Sequence, residues 1–167
     1  MFQDPTTQRI VDFLQEIGIE VHQGELTEPT FLPGILLDRG RLVIDEAKLL
    51  YPGDLLHEAG HLAVAPPEGR KELYNTAGDD GAEEMMAIAW SWAAALHIGI
   101  EPTVLFHDGG YKGGSENLIQ NFQDGRYFGV PMLQWVGMTY DKQQAPLHST
   151  PPYPHMIRWI REEGSPQ

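Results

Sequence analysis

Pro52-Gly53-Asp54-Leu55-Leu56-His57-Glu58-Ala59-Gly60-His61-Leu62-Ala63-Val64 is the stretch on which the reading of this chain turns. Pro52 is suited to opening a helix, Asp54 in the first turn faces the positive end of the dipole, and Pro66 sets the far limit. On that helix His57 and His61 stand one turn apart and project from one face. Two imidazoles so placed can share a zinc ion, with Glu58 beside them as the group that takes a proton from a bound water. Zinc brings the pKa of such a water to roughly 7, so a carboxylate is base enough at neutral pH. With the His and Glu content of this chain, one such match arises by chance in about 2% of sequences. Unpaired imidazoles amid Leu55, Leu56 and Leu62 would be costly to bury, which favours metal ligation over core filling.

A third protein ligand is needed if the fourth position is to stay open for water. Asp80 and Glu83 stand three apart ahead of the apolar run Met85–Leu96, the pattern of a capping box, and Gly99 supplies a stop. The helix this predicts is apolar almost all round, so it belongs in the core beside the HExxH helix. Glu83 and Glu84 both open it. The capping box gives Glu83 a structural task and leaves Glu84 as the expected ligand, the alternative being that both are ordinary first-turn acids.

Further out, Asp4 and Pro5 read as the cap and first residue of a helix carrying Ile10, Val11, Leu14 and Ile17 up to Gly18. Ile19 and Val21 alternate with polar residues, and Ile35–Leu37 and Leu42–Ile44 flank Asp38-Arg39-Gly40-Arg41, which predicts a hairpin plus one more strand. The fold class expected is α+β, a short antiparallel sheet packed against the HExxH helix and the core helix after it. Pro66–Gly81 reads as a surface connection. Beyond Pro102 the signals thin: Ser115 reads as the cap of a short helix with Leu118, Ile119 and Phe122, and Pro154 as the opening of a last one through Trp159. The 167 residues suit one domain, with 1–100 as metal-site core and 101–167 as an extension packed on it. Trp90, Trp92, Trp135 and Trp159 are all expected in the core.

Several side chains are candidates for the surroundings of the metal. Asp54, one turn ahead of His57, could orient that imidazole through its second nitrogen. His107 lies in a turn-rich segment and His97 near a helix end, and either could be a neighbour of the site. Tyr111 and Lys112 adjoin Gly113 and Gly114 in a loop able to face a substrate, and Tyr111 could donate to a developing oxyanion.

Composition narrows the partners. Lys and Arg number 11 against 24 Asp and Glu, for a net charge of -13, so the field repels nucleic acid and anionic membrane surfaces. The absence of cysteine removes disulfides, thiolate zinc sites and a cysteine nucleophile together. No signal peptide or membrane span is visible, so a cytoplasmic location is expected. Nothing in the composition decides the oligomeric state.

The order of helix, short strands around Gly34–Asp45, the helix bearing HEAGH and then a helix opening with Glu84 resembles the ImmA/IrrE-type minimal zincins, gluzincin-like metallopeptidases. The resemblance covers Phe2–Ile100. It implies a zincin-like fold, a zinc site of His57, His61 and Glu84, catalytic Glu58 and a peptide or protein substrate. Around the motifs, only Glu84 and Ala89 match the family's pattern on the following helix. An extended substrate could then add as a strand to the sheet edge. The rival reading is a non-catalytic interaction module whose metal is structural or vestigial.

Overall fold

A computed structural model describes residues 1–78 and 80–163, and of Lys112 the backbone alone. The first helix, α1 (Pro5–Glu16), starts where its sequence says: the Asp4 carboxylate accepts from the Thr7 N–H at 2.9 Å, with Pro5 in the first turn. Its apolar stripe of Ile10, Val11 and Leu14 is buried. Three strands follow, β1 (Glu20–Gln23), β2 (Ile35–Asp38) and β3 (Arg41–Ile44). β2 and β3 form the expected antiparallel hairpin, closed through Arg39 and Gly40, both with positive φ, and bound by Asp38 ion pairs to Arg39 and Arg41. The sheet is not wholly antiparallel. β3 sits in its centre and pairs with β1 in parallel, a geometry that the long connection from Gly24 to Gly34 makes possible. The architecture is therefore α+β with a small mixed sheet.

The HExxH stretch forms α2 (Asp54–Val64), two residues shorter at its start than Pro52 predicts, with Gly53 as cap and Ala65 turning the chain out into extended backbone. After α3 (Pro67–Arg70) the chain runs through Leu73–Thr76 to α4 (Gly81–Ile98). Asp80 caps α4 by accepting from the N–H groups of Ala82 at 2.8 Å and Glu83 at 3.1 Å, and Gly99 ends it. Met86 to Ala95 are buried without a break, as an all-round apolar helix requires. α4 and α2 form the principal helix pair, and Gly60 sets how closely they meet. A Cβ there would stand 2.9 Å from the Ala87 carbonyl oxygen and 3.3 Å from its Cα.

The later elements are short: α5 (Pro102–Leu105), α6 (Ser115–Gln123) and α7 (Val130–Trp135). Ser115 does not cap α6; it is the first helical residue, and its hydroxyl donates to Asp108 instead. Nor does Pro154 open a helix. Tyr153 N–H donates to the Tyr140 carbonyl, Ile157 N–H to that of Met138, and Met156 bridges Thr139, so the backbone groups a helix would pair locally are used across to another segment. That tail reaches the metal-motif helix: the backbone N–H of Arg161 donates to the Ala63 carbonyl at 2.9 Å and its guanidinium to that of Val64 at 3.3 Å. Trp90 is buried with its indole N–H on the Trp159 carbonyl, whereas Trp135 is 67% exposed and belongs to the surface rather than the core. No helix among the described residues is long and apolar enough to cross a membrane.

Candidate metal centre

Because Gly60 lets α2 rest on α4 at Ala87, the residues one turn earlier on both helices, His57 and Glu84, also meet. Nε2 of His57 lies 3.2 Å from one Glu84 carboxylate oxygen, and Nε2 of His61 lies 2.9 Å from the other. The two rings are perpendicular, at 84°, with centroids 4.9 Å apart. Two imidazole nitrogens and the two oxygens of one carboxylate thus meet between the two helices. Ligands held about 2.0–2.1 Å from a common ion at tetrahedral angles are separated by about 3.3 Å. Each imidazole–carboxylate separation is compatible with a small cation, and two imidazoles with a carboxylate are a donor set that zinc accepts.

A second carboxylate competes for the ligand role. Donor atoms of His57, Glu58 and His61 all lie within 4.8 Å of one another, a spacing that could by itself hold a metal ion. Glu84 stands nearer to both Nε2 atoms and bridges them. Glu58, 3% exposed, sits behind them in the wall of the cleft, while the Glu84 side chain is 44% exposed. Neighbours on a helix diverge by about 100°, so Glu58 cannot follow both imidazoles toward one point as readily as a residue from the opposite helix can. The first-turn acid that contacts the imidazoles is Glu84, while its neighbour Glu83 gives its backbone N–H to the Asp80 cap.

Charge at the site is coupled. The hydrogen bonds from His57 and His61 hold the Glu84 carboxyl far below the usual carboxylate range. Burial opposes charge on His57, yet its hydrogen bond to Glu84 and the nearby charges of Glu84, Glu58 and Asp54 raise its pKa overall. Burial pushes Glu58 up, against the pull of the two imidazoles. Three carboxylates around two imidazoles favour a cation between them.

Asp54 does not serve His57. Its carboxylate lies 2.7 Å from Nε2 of His107, and that imidazole stacks on the Tyr51 ring at 3.7 Å and 7°. His107 is therefore a neighbour of the site through Asp54 and no closer to the ligand cluster. His97 is exposed at the end of α4 against Phe13 and Trp159, away from the cluster. Tyr111 does reach it: its ring meets His57 edge-on at 5.6 Å, and burial pushes its phenol pKa well above the ordinary value. Lys112, its neighbour, has its side chain outside the described residues.

Asp54, His57, Glu58, His61, Glu84 and Tyr111 line a cavity of about 440 Å³, whose rim also includes Phe31, Leu32, Thr76, Ala77 and Gly78. Neither that rim nor Tyr51 carried a recognisable sequence signal. The sheet edge beside it is already in use: Arg39 N–H donates to the Leu73 carbonyl and Asn75 N–H to that of Leu37, both at 2.7 Å. An extended substrate cannot pair along Leu37–Arg39 without displacing Leu73–Asn75.

No family model, curated protein or solved structure matches this chain. What can be said of its chemistry rests on the site itself.

Proposed function

We propose that this chain is a zinc-dependent hydrolase of zincin-like design, acting on peptide bonds, with His57, His61 and Glu84 as the residues that hold the metal and Glu58 as general base. The observation that carries the reading is the convergence of both Nε2 atoms on Glu84 at 3.2 and 2.9 Å beside the buried Glu58 carboxylate and an open cavity. Bound zinc would supply Lewis acidity, lowering the pKa of a coordinated water to about 7 and polarising a substrate carbonyl. The rest falls to the chain. Glu58, made more basic by burial, accepts the proton of the attacking water and delivers it to the leaving nitrogen. Glu84, from the second helix, fixes the two imidazoles relative to each other, and the cavity limits water around the reacting bond.

The rival reading, a structural metal in an interaction module, calls for a fourth protein ligand. His107 is bound to Asp54 and His97 lies elsewhere; Glu58 stands near enough to both imidazoles to be a ligand, and its place in the lining of an open cavity supports the role of base instead. Metal analysis of the purified protein should give about one zinc per chain. A peptide library scored for new N-termini by mass spectrometry should report cleavage by the zinc-loaded protein. Glu58→Gln should retain the zinc and lose turnover; undiminished cleavage by that variant rules the mechanism out.

A further inference from the structure

Glu84, Ile88 and Trp92 follow one another at single-turn intervals on α4, so their face of the helix leads away from the metal centre. α6 is fastened along that face. Its buried Phe122 packs on Trp92 at 5.4 Å and on Phe106 at 6.0 Å. Leu118, one turn before Phe122, is thereby brought toward Ile88, one turn before Trp92. The two line a groove of about 370 Å³ together with Asn117 and Asn121 of α6, and with Glu84 and Tyr111. Glu84 and Tyr111 also line the metal cavity, so the groove begins where that cavity ends.

The groove has the chemistry of a peptide site. Ile88 and Leu118 make part of its lining apolar, and Asn117 and Asn121, one turn apart on α6, add two side-chain amides. Such an amide carries both a donor and an acceptor, as a backbone peptide group does. Asn117 is exposed. The Asn121 carbonyl oxygen accepts from Arg126 Nε at 3.0 Å, which orients that amide and leaves its NH2 group to donate. The other route past the metal, pairing along Leu37–Arg39 of the sheet edge, is taken by Leu73–Asn75.

We infer that the groove between α4 and α6 receives the substrate chain on one side of the cleaved bond, with Asn117 and Asn121 binding its backbone and Ile88 with Leu118 taking one apolar side chain. This deepens the hydrolase reading above and rests on it. One helical turn of about 5.4 Å separates Glu84 from Ile88, and an extended chain advances about 3.3 Å per residue, so the apolar residue stands about two or three positions from the cleaved bond. The substrate is therefore an extended segment with an apolar residue at that place, held by helix side chains rather than added to the sheet as a strand.

The probe is a pool of blocked octapeptides of random sequence without cysteine, titrated into isotope-labelled, zinc-loaded Glu58→Gln protein and followed by NMR. The side-chain amides of Asn117 and Asn121 and the methyl groups of Ile88 and Leu118 should shift and saturate together. Asn117→Ala should weaken binding about twofold to tenfold, as loss of one hydrogen bond does, and leave zinc affinity within about twofold. Asn121→Asp keeps the acceptor that Arg126 uses and removes the donor, and it should weaken binding by a similar factor. Fragments released from the same pool by the wild-type zinc protein should show an apolar preference two or three residues from the cleaved bond, on one side only, and Leu118→Ala should flatten it. Shifts confined to the cavity rim at Phe31 and Thr76, or cleavage without that preference, overturn this inference and leave the hydrolase reading standing. A wild-type chain that takes up zinc and cleaves nothing, whether or not the groove shifts, overturns the hydrolase reading and with it the assignment of the occupant as substrate.

Discussion

The two walls of the cavity are built on different principles. One is the pair α2 and α4, regular helices whose side-chain directions follow from a period of 3.6 residues and whose contact is set by Gly60 against Ala87. The other is the loop from Phe106 to Ser115, where His107 is set by Tyr51 and Asp54, and Tyr111 by Phe106 and His57. The helical wall carries the donor atoms, and the loop wall carries Tyr111. A regular element can hold ligands at a fixed separation because the spacing is inherent in the backbone. An irregular one can aim a single group, but only with neighbours to hold it.

The contrast can be broken most severely at the helical wall. Glu84→Ala removes the one donor that spans both imidazoles, and zinc affinity should fall by about a hundredfold or more in a competition titration with a chelating dye. Retention of wild-type affinity would shift the ligand role to Glu58. Gly60→Val leaves every donor in place and attacks only the helix contact. It should cost about 1–3 kcal/mol in a denaturant melt, the usual range for overpacking a close contact, and weaken zinc at the same time. A variant that loses stability but keeps full zinc affinity would show that the site does not depend on how closely the helices meet.

A smaller effect comes from pH. The His57 pKa is raised, so its proton persists above the ordinary imidazole range and competes with the metal. Zinc affinity should therefore rise between pH 6 and pH 8. In the metal-free protein the sign reverses: the stability that charged His57 contributes beside Glu84 is present below the ordinary value near 6.5 and is lost as pH rises through the raised one. A metal-free melt that grows steadier across that interval would count against the pair. The smallest change expected is Glu83→Ala, within about 0.5 kcal/mol in stability and with zinc affinity intact, since Glu84 is the acid that meets both imidazoles. A large zinc effect there would exchange the roles of the two glutamates.

How much of this could be read in advance differs along the chain. Asp4 with Pro5, Asp80 and Gly99 mark helix ends because a cap is a local event between a side chain and backbone groups within three or four residues. α5 and α7, with 4 and 6 residues, are too short to display a period, and both went unanticipated. Ser115 carries the chemistry of a cap, yet Asp108 takes its hydroxyl. The last segment, with Pro154 placed like a helix opener, pairs with Met138–Tyr140 instead, a competition that no local rule can judge. Trp135 stands 67% exposed because its short helix buries Val130 and Leu133 on the other side.

By itself the sequence determined the helix that holds His57, Glu58 and His61 together, the core helix that follows, and the exclusion of thiolate ligands from any metal site. Periodicity, caps and composition are properties of neighbours along the chain, and they need nothing distant to act. Only the tertiary structure decided that β1 runs parallel to β3, that Asp54 belongs to His107 rather than His57, that Leu73–Asn75 occupies part of the sheet edge, and that Glu84 bridges both imidazoles. Each of these joins residues well separated in the chain, and which partner a polar group finds depends on which surfaces the core brings together.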